Sequence, residues 1–236
     1  MKNMFKVGIT CAALAALTPA FANDGLEEEN GVIGWTPVAL GIATPVQLPY
    51  GLERWDVFGL DLNIFYTDTP TMYGLDIAAL ASVNRGEFMG LEVSGLFNFA
   101  AEDAYGARFT LGLNMSRKSV YGLDAGLIAF ANSTYGASIH FLGAAQKEFY
   151  GLQISGLANV TAQESHGLSI AGITNLAPAQ YGLNMSFIFN MTDDLHGAQI
   201  ALVNYADNCD SGFQIGLVNI IMSNKVKVLP FVNGYF

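Results

Sequence analysis

The chain has 236 residues, of which 52% are hydrophobic and only 13% charged, and its formal net charge is −10. With 20 acidic against 10 basic residues it lacks the cationic footprint that nucleic acid requires, and the same sign argues against peripheral docking on anionic lipid. An ordinary soluble domain carries about 25% charged residues, so this composition points to a stacked solenoid or to strands whose outer face meets lipid.

Residues 1–22 read as an export signal. Lys2 and Lys6 give a positive start, an apolar stretch runs from Val7 to Leu17, and Pro19-Ala20-Phe21-Ala22 supplies small residues for cleavage after Ala22. The stretch is too short to span a bilayer. Cys11 lies inside it, behind Gly8-Ile9-Thr10, a poor lipidation motif. Cleavage takes two of the ten basic residues and leaves a net charge of −12. Cys209 is then the one remaining thiol, so no intrachain disulfide forms. No later apolar run reaches the ~18 residues of a membrane-crossing helix. Residues 23–50 form an N-terminal segment with a first strand expected near Ile33–Thr44.

From residue 51 to 225 one phrase recurs: an aromatic, Gly, an apolar residue, a polar one, an apolar one. It reads Tyr73-Gly74-Leu75-Asp76-Ile77, Tyr121-Gly122-Leu123-Asp124-Ala125, Tyr150-Gly151-Leu152-Gln153-Ile154 and Tyr181-Gly182-Leu183-Asn184-Met185. Successive phrase glycines, from Gly59 to Gly212, lie 14 to 16 residues apart, which marks one supersecondary unit copied along the chain. With the glycine as position one, positions two and four are apolar in every copy (Leu60 and Leu62, Leu168 and Ile170). Position three is polar in every copy: Asp61, Asp76, Glu92, Arg108, Asp124, then Ser138, Gln153, Ser169, Asn184, Gln199 and Gln214. Strict alternation is the mark of a strand with unlike faces. Each copy therefore predicts a strand of about eleven residues and a turn of about four to five. Position seven breaks the polar face with Leu80, Leu96, Ile128, Leu157, Ile173 and Ile188, and position nine returns to Asn98, Asn114, Asn159, Asn175 and Asn190.

Two all-β architectures fit. The favoured one is an up-and-down transmembrane β-barrel of roughly 12–14 strands, since spanning strands run about 9–11 residues with apolar residues outward. Strands of alternating direction would set Phe58, Tyr73, Tyr105, Tyr121, Tyr135, Tyr150 and Tyr181 as aromatic girdles at two rims. Asp61, Glu92 and Asp124 would then line one mouth of the lumen, and Asp76 and Arg108 the other. Residues 226–236 form a last strand ending on Tyr235 and Phe236, which resembles an outer-membrane assembly signal, with Pro230 tolerated at a strand start or bulge. The partners implied are outer-membrane lipid and the outer-membrane assembly machinery; no protein partner is specified. The alternative is a parallel β-solenoid, in which identical units stack and positions two, four and seven point into a narrow core.

Val46-Gln47-Leu48-Pro49, Gly59-Leu60-Asp61-Leu62-Asn63, Tyr73-Gly74-Leu75-Asp76, Gly212-Phe213-Gln214-Ile215-Gly216-Leu217-Val218-Asn219 and the closing Leu229-Pro230-Phe231-Val232-Asn233-Gly234-Tyr235-Phe236 together resemble a bacterial family of exported surface-repeat proteins first named from Leptospira. The resemblance covers most of the chain after residue 22. It implies an exported envelope protein of unassigned activity and brings no catalytic residues. Some members of that family are lipoproteins, a pattern this chain departs from.

No enzymatic constellation is present. His140, His166 and His196 are isolated in sequence, and the last two replace the aromatic that opens a unit. The glycines lack the Lys and helix start of a phosphate loop, and the Ser residues have no His or acid at a repeatable spacing. No catalytic residue, metal site or cofactor is expected. The sequence thus predicts a non-enzymatic surface-repeat protein of the bacterial outer membrane or cell surface, working as a passive pore with weak cation preference. The alternative is an exported solenoid with a structural or partner-binding role.

Overall fold

The computed structural model describes residues 31–43 and 46–235; the export signal at 1–22 and Phe236 lie outside them. The described chain is all-β, about 80% strand, and its described residues divide into two units, one up to residue 140 and one from residue 141, with the boundary inside one long strand.

In the first unit β1 (Gly34–Ala43) pairs antiparallel with β2 (Val46–Leu48), and a 3₁₀ turn at Leu52–Arg54 leads into β3 (Trp55–Thr69). There follow β4 (Met72–Ala78), β5 (Ala81–Asn84), β6 (Phe88–Ser94), β7 (Phe97–Ala100), β8 (Ala104–Thr110), β9 (Leu113–Ser116) and the start of β10 (Ser119–Ser155). One parallel sheet runs β3-β4-β6-β8-β10, with Gly59, Gly74, Gly90, Gly106 and Gly122 as successive register partners. A second parallel sheet runs β3-β5-β7-β9-β10. Each copy therefore contributes to two sheets, and the chain bends between them at positions six and seven, as at Gly95-Leu96. The second unit continues β10 into β11 (Ala158–Ala171), β12 (Thr174–Ser186), β13 (Phe189–Ile200) and β14 (Val203–Ile221), all parallel, and β15 (Val228–Gly234) closes it antiparallel to β14. Both units are parallel β-solenoids, with about eleven turns in all among the described residues.

The up-and-down barrel of 12–14 strands is thus corrected. Its neighbours would run antiparallel, whereas here every phrase pairs with the next in the same direction, like residue on like residue. The solenoid alternative is the fold formed, with its faces reversed. Position three is buried in every copy, from Asp61 to Gln214. Positions two, four, six and seven turn outward, and the position-seven stripe is exposed at Leu80, Leu96, Leu157, Ile173 and Ile188. The interior is polar and the exterior apolar.

A polar interior holds only if its groups are paired. In the second unit Asn159 donates from Nδ2 to Oδ1 of Asn175 at 2.8 Å, Asn175 to Asn190 at 3.0 Å, Asn190 to Asn204 at 3.1 Å, and Asn204 to Asn219 at 2.9 Å. The same Nδ2 groups reach carbonyls on the facing sheet: Asn159 to Ile170, Asn175 to Met185, Asn190 to Ile200 and Asn204 to Ile215, all 2.8–3.0 Å. Each amide ties one turn to the next and one sheet to the other. Small apolar clusters fill the remaining interior: Val57, Met72, Phe88, Ala104 and Val120 among others in the first unit, Leu195, Ala206, Cys209 and Ile221 in the second.

The phrase glycine is fixed by the stacking. Gly167 has a φ of 119°, and a Cβ there would lie 2.2 Å from the carbonyl oxygen of Gly151 in the preceding turn. Only glycine combines that dihedral with that approach. Gly167→Ala is expected to lower stability by about 2–4 kcal/mol, read as the urea midpoint, from backbone strain plus displaced neighbours. Asn175→Ala is expected to cost about 2–3 kcal/mol in the same measurement, because it strands the Met185 carbonyl and breaks the amide chain on both sides; an unchanged midpoint would show that the ladder does not hold the sheets.

Candidate functional site

The position-three residues Asp61, Asp76, Glu92, Arg108 and Asp124 are register neighbours in the first unit, in that order. Four carboxyl groups and one guanidinium make up the row. Arg108 donates from Nε to Glu92 Oε2 at 2.9 Å, and from Nη2 to the carbonyls of Met115 at 3.1 Å and Asn98 at 3.3 Å. Asp61 accepts from Asn63 Nδ2 at 2.5 Å and from the Thr67 hydroxyl. The Ser82 hydroxyl lies 2.5 Å from Asp76 Oδ2 and 2.7 Å from Glu92 Oε1. It has one proton to donate, so one of those two carboxyls contributes the other.

The electrostatics agree. Burial pushes Asp61 up to about 6, against the lowering hydrogen bond from Thr67. Asp76 lies well above the usual carboxylate range, through burial and then through Asp61 and Glu92. Burial also raises Glu92 and Asp124, with Arg108 opposing in both. Next to them His140 is buried, with Nδ1 3.1 Å from the Ser138 hydroxyl and Nε2 3.8 Å from Asp124 Oδ1. Burial and then Arg108 lower it to about 4, so the ring is neutral near pH 7. In the second unit the same column is neutral, with Gln153, Ser169, Asn184, Gln199 and Gln214; Gln214 donates to Gln199 at 2.9 Å, and Gln199 donates outside the column to Gln180 at 3.0 Å.

The unit-opening aromatics form outward-facing columns, exposed at Phe58 and Tyr121 and half-buried elsewhere. Phe58 stacks on Tyr73 at 5.1 Å between centroids, Tyr105 on Tyr121 and Tyr121 on Tyr135 at 4.9 Å. In the second unit Tyr150, His166, Tyr181 and His196 stack at 4.4–4.7 Å, within 8° of parallel. Beyond these columns the outward residues at positions two, four, six and seven carry no charge in any copy. Leu111 is 83% exposed, Phe141 72% and Phe187 71%. Outside the interior row, the charged side chains of both units lie along the opposite bend, at Arg85 and Glu87, Glu102 and Asp103, Arg117 and Lys118, Lys147 and Glu148, and Asp193 and Asp194, or toward the chain ends.

The expected site residues are therefore placed differently from a barrel's. Asp61, Asp76, Glu92, Arg108 and Asp124 do gather, but in one buried row; they line no lumen, and parallel stacking removes the division between two mouths. The aromatic residues Phe58, Tyr73, Tyr105, Tyr121, Tyr135, Tyr150 and Tyr181 all open their turns on the same side of the phrase, so they form columns along the stack where a barrel has two girdles. His166 and His196 join those columns, as their place in the phrase indicated. His140 is the residue the sequence concealed: its position-five neighbours are small or polar, and only the parallel register brings it beside Asp124. Tyr235 is exposed, its N–H bonded to the Gly212 carbonyl at 3.1 Å; its proposed terminal partner Phe236 is outside the described residues.

Among the described residues no group of three or more His, Cys, Asp or Glu is arranged to hold a metal ion, and no helix is long and apolar enough to cross a membrane. The chain matches no protein-family model, no curated protein and no solved structure.

The raised carboxyls give the first unit a signed pH dependence. Asp61 stabilises the fold fully below its unfolded value of 3.8, and that stability is lost as pH rises through about 6. His140 acts oppositely: its contribution is present above 6.5 and lost as pH falls through about 4. Asp61→Asn is expected to be more stable than the parent at pH 7.5 by up to about 3 kcal/mol, with the difference fading toward pH 4. Urea midpoints across that range check it; a variant less stable at pH 7.5 would mean that the carboxylate is stabilising as an ion.

Proposed function

We propose that the chain is an exported, non-enzymatic structural solenoid of the bacterial cell envelope, which works by presenting its outer surface to a partner. The observation that carries this reading is the reversed polarity of the solenoid: hydrogen-bonded polar rows inside, uncharged apolar faces outside. Soluble monomers rarely expose contiguous apolar patches above a few hundred Å², and here such faces repeat on every turn. A surface of that kind is built to be covered.

A structural or binding role fits the rest. The buried carboxyl row is closed to substrate by the sheets around it, and its partners are other side chains of the same row. The resemblance to exported surface-repeat proteins and the signal-like residues 1–22 support placement in the envelope, with outer-membrane lipid as the partner the composition favours. The passive-pore reading loses its basis, because the polar face that would line a channel is packed against itself.

Fractionation tests the proposal. The chain, expressed with its own N-terminus in a Gram-negative host, is expected in the envelope pellet, retained through a high-salt wash and released by detergent. Recovery as a stable monodisperse species from the soluble periplasm or medium would overturn it.

A further inference from the structure

The apolar surface is not spread evenly around a turn; it is graded. Following one copy in the second unit, Asp193 and Asp194 lie at one bend, His196 in the aromatic column, Ala198 and Ile200 on the face, and Leu202 at the opposite bend. The next copies repeat the order. The apolar bend is made of Phe141, Leu157, Ile173, Phe187, Leu202 and Leu217, each of them exposed. In the first unit Ile64, Leu80, Leu96 and Leu111 occupy the same place, opposite the Arg85–Glu87, Glu102–Asp103 and Arg117–Lys118 bends.

The backbone at that apolar bend is also closed. The N–H of Leu157 bonds to the Leu142 carbonyl at 3.2 Å, Ile173 to Leu157 at 2.8 Å, Ile188 to Ile173 at 3.3 Å, Leu202 to Phe187 at 3.3 Å and Val218 to Leu202 at 3.0 Å. The charged bend is bonded from turn to turn in the same way, as in Arg117 N–H to the Ala100 carbonyl at 3.0 Å, so this closure is a property of the stack; at the apolar bend it also meets the condition that hydrocarbon imposes on any backbone it surrounds.

We infer that each unit inserts edge-on into one leaflet of a phospholipid bilayer, with the apolar bend in the acyl chains, the aromatic column at the headgroup level and the charged bend in water. This rests on the reading above and gives the mode and depth of the lipid contact. The dimensions agree: position zero to position six is six residues, or about 20 Å at ~3.3 Å each, and one leaflet contributes about 15 Å of hydrocarbon to a core of ~30 Å. Stacked Tyr and His rings, apolar in body and polar at the tip, belong at that boundary. The charged bend is mixed in sign in the first unit and mostly acidic in the second, so it brings no net attraction to anionic headgroups and the insertion is driven by apolar area. A second copy covering the same face would bury the apolar faces but would leave the grading from charge through aromatic to apolar without a purpose.

Depth measurement tests it. In the full chain with Cys11→Ser and Cys209→Ser, nitroxide labels are placed singly through Phe187→Cys, Tyr181→Cys and Asp193→Cys, with Leu111→Cys for the first unit. Vesicles of phosphatidylcholine and phosphatidylethanolamine are the probe. The labels at 187 and 111 are expected to be reached by oxygen and shielded from an aqueous nickel complex, the label at 181 to sit near the phosphates, and the label at 193 to be open to nickel. Phe187→Lys is expected to weaken vesicle partitioning by at least about tenfold, while Asp193→Lys, 0.5 M salt and replacement of a third of the lipid by phosphatidylglycerol leave it within about twofold. Far-UV circular dichroism selects the folded variants, and Leu202→Cys substitutes for Phe187→Cys if that variant does not fold. An envelope-bound chain whose label at 187 is open to nickel overturns the inference and leaves the structural role standing. A soluble dimer that ignores vesicles overturns it in favour of a second copy. A soluble monomer overturns both.

Discussion

Asn159, Asn175, Asn190, Asn204 and Asn219 pass hydrogen bonds from turn to turn while also reaching the facing sheet, and the remaining features follow from that arrangement. Side chains in a strand alternate between faces. Once the amides, carboxyls and hydroxyls are committed inward to hold two sheets together, the residues between them are committed outward. Those residues are Leu, Ile, Phe and Tyr. The exterior is therefore apolar by parity, and no local adjustment can hide it: moving Leu168 inward would expose Ser169 and break its row. The usual hydrophobic drive toward the interior is supplemented by ladders of paired polar groups whose value grows with the number of turns, since each Asn of the ladder bonds a neighbour in an adjacent turn.

Much of this was legible in the residues. The copied phrase, the glycine column, the strict alternation and the outlying strands near Ile33–Thr44 and 226–236 all correspond to elements of the fold. The direction of the faces was not legible, because an alternating pattern reads the same with either side inward. The expectation that apolar residues face a core, or else lipid around a barrel, then decided between architectures on the aromatic starts and the terminal Phe, which fit columns as well as girdles. The discriminating signal was the run of Asn98 and Asn114, and of Asn159, Asn175 and Asn190, at one-turn spacing. In an antiparallel barrel those residues have no reason to match, whereas in a parallel stack they are partners. Position seven was misleading for a related reason: it marks a bend between two sheets, where the parity resets and an outward residue follows an outward residue.

The two units solve the same packing problem with different chemistry. In the first, position three carries Asp61, Asp76, Glu92, Arg108 and Asp124; in the second it carries Gln153, Ser169, Asn184, Gln199 and Gln214. An amide is donor and acceptor at once, so the hydrogen bonds it makes need no protons from solution. A carboxylate only accepts, and a column of carboxylates needs either a cation or shared protons. Arg108 supplies one cation. The other carboxyls of the row are buried without a cation of their own, and burial raises Asp61 and Asp76 above the ordinary carboxylate range. The charged row thus ties the stability of the first unit to pH in a way the second unit does not share. The same residues that suggested a cation-selective lumen form a buried, pH-sensitive row along the first unit.

A stack of parallel turns has open ends as well as faces, and an unpaired terminal strand is a template for further pairing. In the second unit β15 lies antiparallel on β14, so the last parallel strand is already occupied. The covering strand is a poor template itself: Pro230 offers no N–H, and Phe231 takes a φ of 67°, a left-handed conformation that interrupts the extended edge. The first unit places β1 on β3 and folds β2 back on β1 in the antiparallel sense. Growth by adding turns is discouraged at these strands, while nothing comparable shields the faces: no charge occupies the outward positions two, four, six and seven in any copy. Protection of the ends together with an unbroken apolar surface indicates selection against end-on polymerisation and for lateral contact, and the grading of that surface from carboxylates through stacked rings to Leu and Phe matches the polarity profile of a membrane leaflet more closely than that of a protein interface, which places its apolar patch at the centre and its charges all around the rim.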